Sequence, residues 1–163
     1  MKTTGSENLT LSKLLVPANV KLRLTGSQRD EVLTELVNQI KEIAKQPKAR
    51  ETLLRALQER EQLHSTGIGD GVALPHARNA LVGLVDHPIL IFGRHEPGIS
   101  FGAIDGAPAK LFFLLVAPTV TQHLAMLARI SRLLRDPKLR KGLLTAENPE
   151  KVCALIHDAE EKM

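Results

Sequence analysis

Residues 65–77 read STGIGDGVALPHA, and the rest of the chain is interpreted around them. Gly67, Gly69 and Gly71 alternate ahead of a short apolar run, Val72-Ala73-Leu74, which ends in Pro75-His76. Alternating glycines open backbone angles closed to other residues and let a ligand approach the main chain. The apolar run reads as a short buried strand. Pro75 fixes its own backbone and biases Leu74 towards an extended conformation. A histidine is thus delivered from a strand end in a preset direction, and His76 is the first candidate for a working residue.

Upstream, residues 49–62 carry Leu53, Leu54 and Leu57 on one helical face, with Arg60 and Glu61 in the last turn. Pro47 separates this helix from another over 28–45, where Val32, Leu33, Leu36, Val37, Ile40, Ile43 and Ala44 keep helical spacing. Ser27 and Asp30 form a capping-box-like start to it. Residues 20–24 alternate as a strand with one buried face, and Thr25-Gly26 turns the chain. A short apolar cluster over 9–16 fits one or two helical turns before Pro17, and the polar residues 1–8 read as a disordered tail.

Downstream, 80–85 and 88–92 are β-prone runs flanking Asp86-His87, residues 94–100 (RHEPGIS) read as a loop, and Ile104-Asp105-Gly106 as a turn. The continuously apolar 111–117, LFFLLVA, reads as a central strand covered on both faces. Residues 118–121 then cap a helix with apolar positions Leu124, Leu127, Ala128, Ile130 and Leu134, and His123 lies in its first turn. Asp136-Pro137 and Asn148-Pro149 start two further helices. The order predicts one α/β (α+β) domain over residues 9–160, a mixed sheet flanked by helices.

Composition narrows the function. The chain has 163 residues, 43% hydrophobic and 25% charged, which suits one ordinary soluble domain. Trp and Tyr are absent and only four Phe occur, which argues against single-strand nucleic-acid readers and their stacking platforms. The net charge of +4 is mild, and the basic stretch 129–141 has the spacing of a solvated helix face rather than a nucleic-acid footprint. Cys153 has no partner for an intrachain disulfide and reads as a small core residue. No apolar signal core or run of ~18 apolar residues occurs, so no membrane insertion and a cytoplasmic location are expected.

Among the six histidines, His64, His87, His95 and His157 read as solvated or incidental. His76 and His123 differ, because one ends a strand and the other opens a helix directly after the central strand. Ligands of α/β proteins collect at carboxyl ends of strands, and helix N-termini favour anions. Two imidazoles meeting there beside an arginine suit a phosphoryl group, although satisfied structural histidines would carry the same spacing. A metal site is weak, since no H-x-x-x-H or C-x-x-C pair occurs. G-I-G-D-G has neither dinucleotide nor P-loop spacing, and no G-x-S-x-G is present for a serine nucleophile.

EREQLHSTGIGDGVALPHA, SFGAIDGAPAKLFFLLVAP and QHLAMLARISRLLRD together resemble the enzyme IIA domain of the phosphoenolpyruvate-dependent phosphotransferase system. The likeness is to the fructose/mannitol type, including its stand-alone nitrogen-regulatory members. It implies a single mixed-sheet domain acting as a phosphocarrier, with no cofactor, metal or nucleic acid. His76 matches the family's phosphorylated histidine, His123 the second active-site histidine, and Arg60 an arginine near the phosphate. Backbone N–H groups around Thr66, Gly67 and Gly69 are expected to hold phosphate oxygens, and Asp70 matches an acidic position of some sugar-type members. Ala77 stands where many relatives have glycine; were a positive φ required there, alanine would cost about 1 kcal/mol.

The resemblance further implies a histidine-containing phosphocarrier protein, of the HPr or NPr kind, as the donor. A chain without an attached transport or IIB-like domain favours a nitrogen-regulatory role, in which the phosphorylation state regulates partner proteins. The alternatives are a sugar-type IIA passing phosphate to a separate IIB, and an interaction-only regulator that is never phosphorylated.

Overall fold

The computed structural model describes residues 10–77 and 83–163. The expected tail over 1–8 lies outside the described residues, as do Ala80, Leu81 and Val82 of the expected run 80–85, while Gly83 and Leu84 form a turn. The described residues form seven α-helices, a short 3₁₀ turn and one five-stranded sheet.

All but the last residue of the apolar run LFFLLVA lies in β5 (Ala109–Val116), the middle strand of an order β1 (Val20–Lys21), β4 (Ile89–Ile99), β5, β3 (Val72–Ala73), β2 (Gly67–Gly69). β5 is antiparallel to β4 and parallel to β3, so the sheet is mixed. Alternate side chains of β5 enter different cores: Leu111, Phe113 and Leu115 pack on one face, Phe112, Leu114 and Val116 on the other. The first core is closed by α1 (Leu11–Leu14), α5 (Val120–Leu133), α6 (Pro137–Thr145) and α7 (Pro149–Glu161). The second is closed by α2 (Arg29–Asn38), α3 (Lys41–Ala44) and α4 (Pro47–Leu63). A strand buried on both faces needs no polar side, which explains the unbroken apolar run.

Several expectations need correction. The helix expected over 28–45 is two, because Ile40 is extended (φ −83°, ψ 101°) between α2 and α3. Both sides of the break bury the same face, with Ile40 and Ile43 joining Leu36 and Val37 in one core, so periodicity did not reveal it. The capping box lies one residue later, at Gln28 and Glu31. Pro47 starts α4 at its first turn rather than separating helices from outside, a position where the missing N–H costs nothing. β1 covers only Val20–Lys21, and Leu24 reaches β4 through a single 2.8 Å bond to the Arg94 carbonyl.

Residues 94–99 of RHEPGIS are strand, not loop. Arg94 pairs with Leu111 and Ile99 with Ala109, so the extra residues of β4 form a bulge that accommodates Pro97 and Gly98 (φ +86°). Arg94 is buried and donates to the carbonyls of Leu143 and Ala146, a cation at the C-terminus of α6. His95 is likewise buried rather than solvated, its Nε2 2.8 Å from the Gly26 carbonyl. In α5 the buried positions are His123, Met126, Ile130 and Leu133, and Leu124 faces solvent. The helix is rotated so that a histidine takes a core position. Elsewhere in the first core, the buried Glu160 carboxylate ties α1 to α7 and α5, accepting from the amides of Leu11 and Ser12 and from Arg129 Nε.

Candidate functional site

The site is assembled at the carboxyl ends of β3 and β5. Beyond β3 the chain stays against β5: the Leu115 amide donates to the Pro75 carbonyl at 3.0 Å, and His76 bridges to Leu115 in parallel register. β5 then ends, and Thr119 caps α5 by accepting the Gln122 amide. His123 therefore projects from the first turn of a helix that starts where His76 stops. The two rings lie 5.4 Å apart between centroids, tilted by 57°.

His76 is half-buried, and its Nδ1 sits 2.6 Å from the Leu74 carbonyl. A carbonyl only accepts, so Nδ1 carries the proton and the neutral ring keeps a lone pair on Nε2. Burial lowers the pKa of His76 from the ordinary value. The Leu74 carbonyl opposes that shift, and the charges of Arg60 and His123 add to it. Burial lowers His123 as well. Both rings are therefore neutral near pH 7, and one presents a nucleophilic nitrogen.

Arg60 arrives from the opposite helical layer, at the end of α4, near enough for its charge to act on His76. Its Nη1 donates to the carbonyl of His64, 2.5 Å away, in the turn that ends its own helix.

The residues around the glycines are placed differently from one another. Thr66 is buried, and both its amide (2.9 Å) and its hydroxyl donate to Glu61. The Gly67 amide donates to Ser65 Oγ, and the Ser65 hydroxyl donates to the Phe101 carbonyl. Gly69 belongs to a tight hairpin: it pairs with Val72 across Asp70 and Gly71, whose φ values are 57° and 78°. Two positive φ angles are what a two-residue hairpin turn of this twist requires, and Asp-Gly is its commonest signal. At about 3.3 Å per residue, Gly69 lies roughly 13 Å from His76 along the strand. The structure thus brings His76 and His123 together with Arg60 close by, and sets Gly69 at the far end of the hairpin. Asp70 is exposed there, its amide on Asp105 and its carboxylate 4.0 Å from Arg140. Ala77 is buried and has no positive φ, so alanine is unstrained at that position.

One buried acid escaped the sequence reading. Glu61 is 6% exposed, and burial raises its pKa while the Thr66 hydroxyl and amide pull it back. The signal was present: Leu53, Leu57 and Glu61 fall at successive i, i+4 positions, which puts the carboxylate in the buried stripe of α4. Among the described residues, no group of three or more His, Cys, Asp or Glu is placed to hold a metal ion, and no helix is long and apolar enough to cross a membrane.

Comparison with known proteins supplies the family. The family model described as "Phosphoenolpyruvate-dependent sugar phosphotransferase system, EIIA 2" matches residues 13–159. The chain is 34% identical over 149 residues to the fructose-specific EIIABC component of Bacillus subtilis; the match covers 90% of this chain but only 23% of that protein. It is 30% identical over 148 residues to a nitrogen regulatory protein of Bradyrhizobium diazoefficiens, covering 90% of this chain and 94% of the relative. The crystal structure of nitrogen regulatory protein IIA-Ntr from Neisseria meningitidis superposes with a TM-score of 0.79 at 27% identity, over 90% of this chain and 98% of that one. The Escherichia coli IIA mannitol structure, at 20% identity and a TM-score of 0.74 over 87% of this chain and 98% of that one, shares the fold. The sheet, the flanking helices and the family match over residues 13–159 agree, and the chain belongs to the type-2 EIIA family of the phosphoenolpyruvate-dependent phosphotransferase system.

Proposed function

We propose that this chain is a cytoplasmic phosphocarrier in which His76 Nε2 accepts a phosphoryl group from the phosphohistidine of a histidine-containing phosphocarrier protein. The observation that carries the reading is the Nδ1 contact to the Leu74 carbonyl beside the His123 ring. In the transfer the donor's N–P bond breaks as the Nε2–P bond forms, and the donor imidazole leaves with the electron pair. Nδ1 keeps its proton, and the Leu74 carbonyl stabilises the positive charge the ring gains. Such transfers have loose transition states, so positioning and charge neutralisation do most of the catalysis.

Arg60 would exchange the His64 carbonyl for phosphate oxygens, and His123 would donate a hydrogen bond to another. Thr66 and Gly67 could contribute amides only by giving up Glu61 and Ser65, and Gly69 would contribute only through a large local rearrangement. The nitrogen-regulatory role, in which the phosphorylation state regulates partner proteins, is supported by relatives of that name that align over nearly their whole length. A specific observation favours a second reading, donation to a separate IIB: the fructose-specific relatives reach 34% and 39% identity.

The test is incubation with phosphoenolpyruvate, enzyme I and the phosphocarrier, read by intact mass. An acid-labile phosphate adduct on the wild type, absent from His76→Ala, is expected. No adduct, or an adduct that survives the substitution, overturns the proposal, and the former would favour an interaction-only regulator. Adding candidate IIB components to the phosphorylated chain then separates the two roles, because only the sugar-type reading expects the adduct to discharge.

A further inference from the structure

We propose that Glu61 is a positioning residue for His76, withholding the Thr66 amide from the Leu74 carbonyl so that the carbonyl remains available to the imidazole. The proposal rests on reading His76 as the phosphoacceptor.

Gly69 pairs with Val72 and Gly67 with Ala73, with one extra residue between the glycines, so Thr66 is the next residue opposite Leu74. A directly opposed hydrogen-bonded pair in an antiparallel ladder exchanges two bonds, each residue donating its N–H to the other's carbonyl. Only half of that exchange is made here. The Leu74 amide donates to the Thr66 carbonyl at 2.9 Å. The reciprocal donor, the Thr66 amide, goes instead to Glu61 Oε1, also at 2.9 Å. The carbonyl left over is the one His76 Nδ1 donates to, at 2.6 Å.

Several features make this a device rather than an incidental anchor. A carboxylate that is 6% exposed is costly unless its oxygens are hydrogen-bonded, and Glu61 spends both on one residue. Leu53 and Leu57 continue the same stripe of α4, so an apolar residue would satisfy packing alone at position 61. β3 and Pro75 are already held by β5, so the Thr66–Glu61 bond is not needed to hold the strand. The same turn of α4 carries Arg60, so one turn of helix supplies a charge near the site and sets the ring's tautomer.

Nitrogen-detected NMR of the histidine rings in the unphosphorylated full chain reads this directly. In the wild type His76 is a single Nδ1–H tautomer, and Thr66 N shows its trans-hydrogen-bond coupling to the Glu61 carboxyl carbon. In Glu61→Leu the Thr66 amide falls back on Leu74, a coupling from Thr66 N to the Leu74 carbonyl carbon appears, and His76 becomes a mixture of tautomers. Phosphoryl uptake slows about tenfold, the worth of one directed hydrogen bond. Glu61→Gln keeps an oxygen for the Thr66 amide and restores both the single tautomer and most of the rate. An unchanged tautomer in folded Glu61→Leu overturns the proposal. Should that variant fail to fold, the wild-type coupling still decides: coupling from Thr66 N to Leu74 rather than Glu61 overturns it. The tautomer readout needs no phosphoryl donor. If it shifts as expected while the wild type takes no phosphate, the positioning role stands and the phosphocarrier reading falls.

Discussion

The hairpin within residues 65–77 has two ends, the Asp70-Gly71 turn and the Pro75-His76 strand end, and they do different work. At the Asp70-Gly71 end, positive φ angles turn the chain and the exposed Asp70 is tethered by Asp105 and Arg140. At the Pro75-His76 end, the backbone is stitched to Leu115 and the half-buried ring meets His123 from the adjoining helix. Roughly 16 Å of strand separates Gly71 from His76. The glycines look like a ligand cradle in sequence, but two of the three build the hairpin turn. The candidate chemistry collects where two parallel strands end and a helix begins.

That division can be broken by experiment. The largest effect is expected from His76→Ala, which should abolish the acid-labile adduct in intact mass; a full adduct would remove the histidine end from the chemistry. His123→Ala should slow phosphoryl uptake about 10²-fold, the usual loss when one donor to developing charge is removed. A rate within about threefold of wild type in rapid-quench measurements would reduce His123 to a packing residue.

The pH profile sharpens the same end. The pKa values of His76 and His123 lie below the ordinary 6.5, chiefly through burial. The neutral rings should therefore persist through pH 7, and uptake should fall only as pH drops below 6.5. The linkage has a definite sign: the unfolded chain binds these protons first, so the stability they contribute is present above 6.5 and is lost as pH falls through the lower folded values. Ring-proton titration by NMR checks both midpoints, and a midpoint above 6.5 for either ring would contradict the burial argument.

The smallest effect is expected at the other end. A Cβ added to Gly71 would meet nothing closer than the Pro108 carbonyl oxygen at 3.7 Å, so Gly71→Ala costs only the positive φ, about 1 kcal/mol. Thermal unfolding should show that loss while uptake stays at the wild-type rate. Uptake lost along with stability would mean that the hairpin turn and the histidine end are one unit.

Legibility followed the range of the interaction. The helix starts at Thr119, Asp136 and Asn148 were readable because a cap bonds an amide within three residues. The hairpin is written in Asp70-Gly71, but alternating glycines carry the same local signal whether they turn the chain or line a ligand-binding loop. Arg94 and His95 looked exposed beside Pro97, and only the carbonyls of Leu143, Ala146 and Gly26 explain why they are buried. The outward rotation of Leu124 followed the same rule, since the phase of α5 is set by the sheet it covers.

By itself, then, the sequence determined the central strand, the helix caps and a histidine presented by Pro75, because these depend on neighbours in the chain and on unbroken apolarity. The tertiary structure decided that His76 meets His123, that the charge of Arg60 acts on His76 from the opposite layer, and that Glu61 is buried against Thr66. Those outcomes depend on how whole layers pack, and no local spacing encodes which buried position a polar side chain will share with which partner.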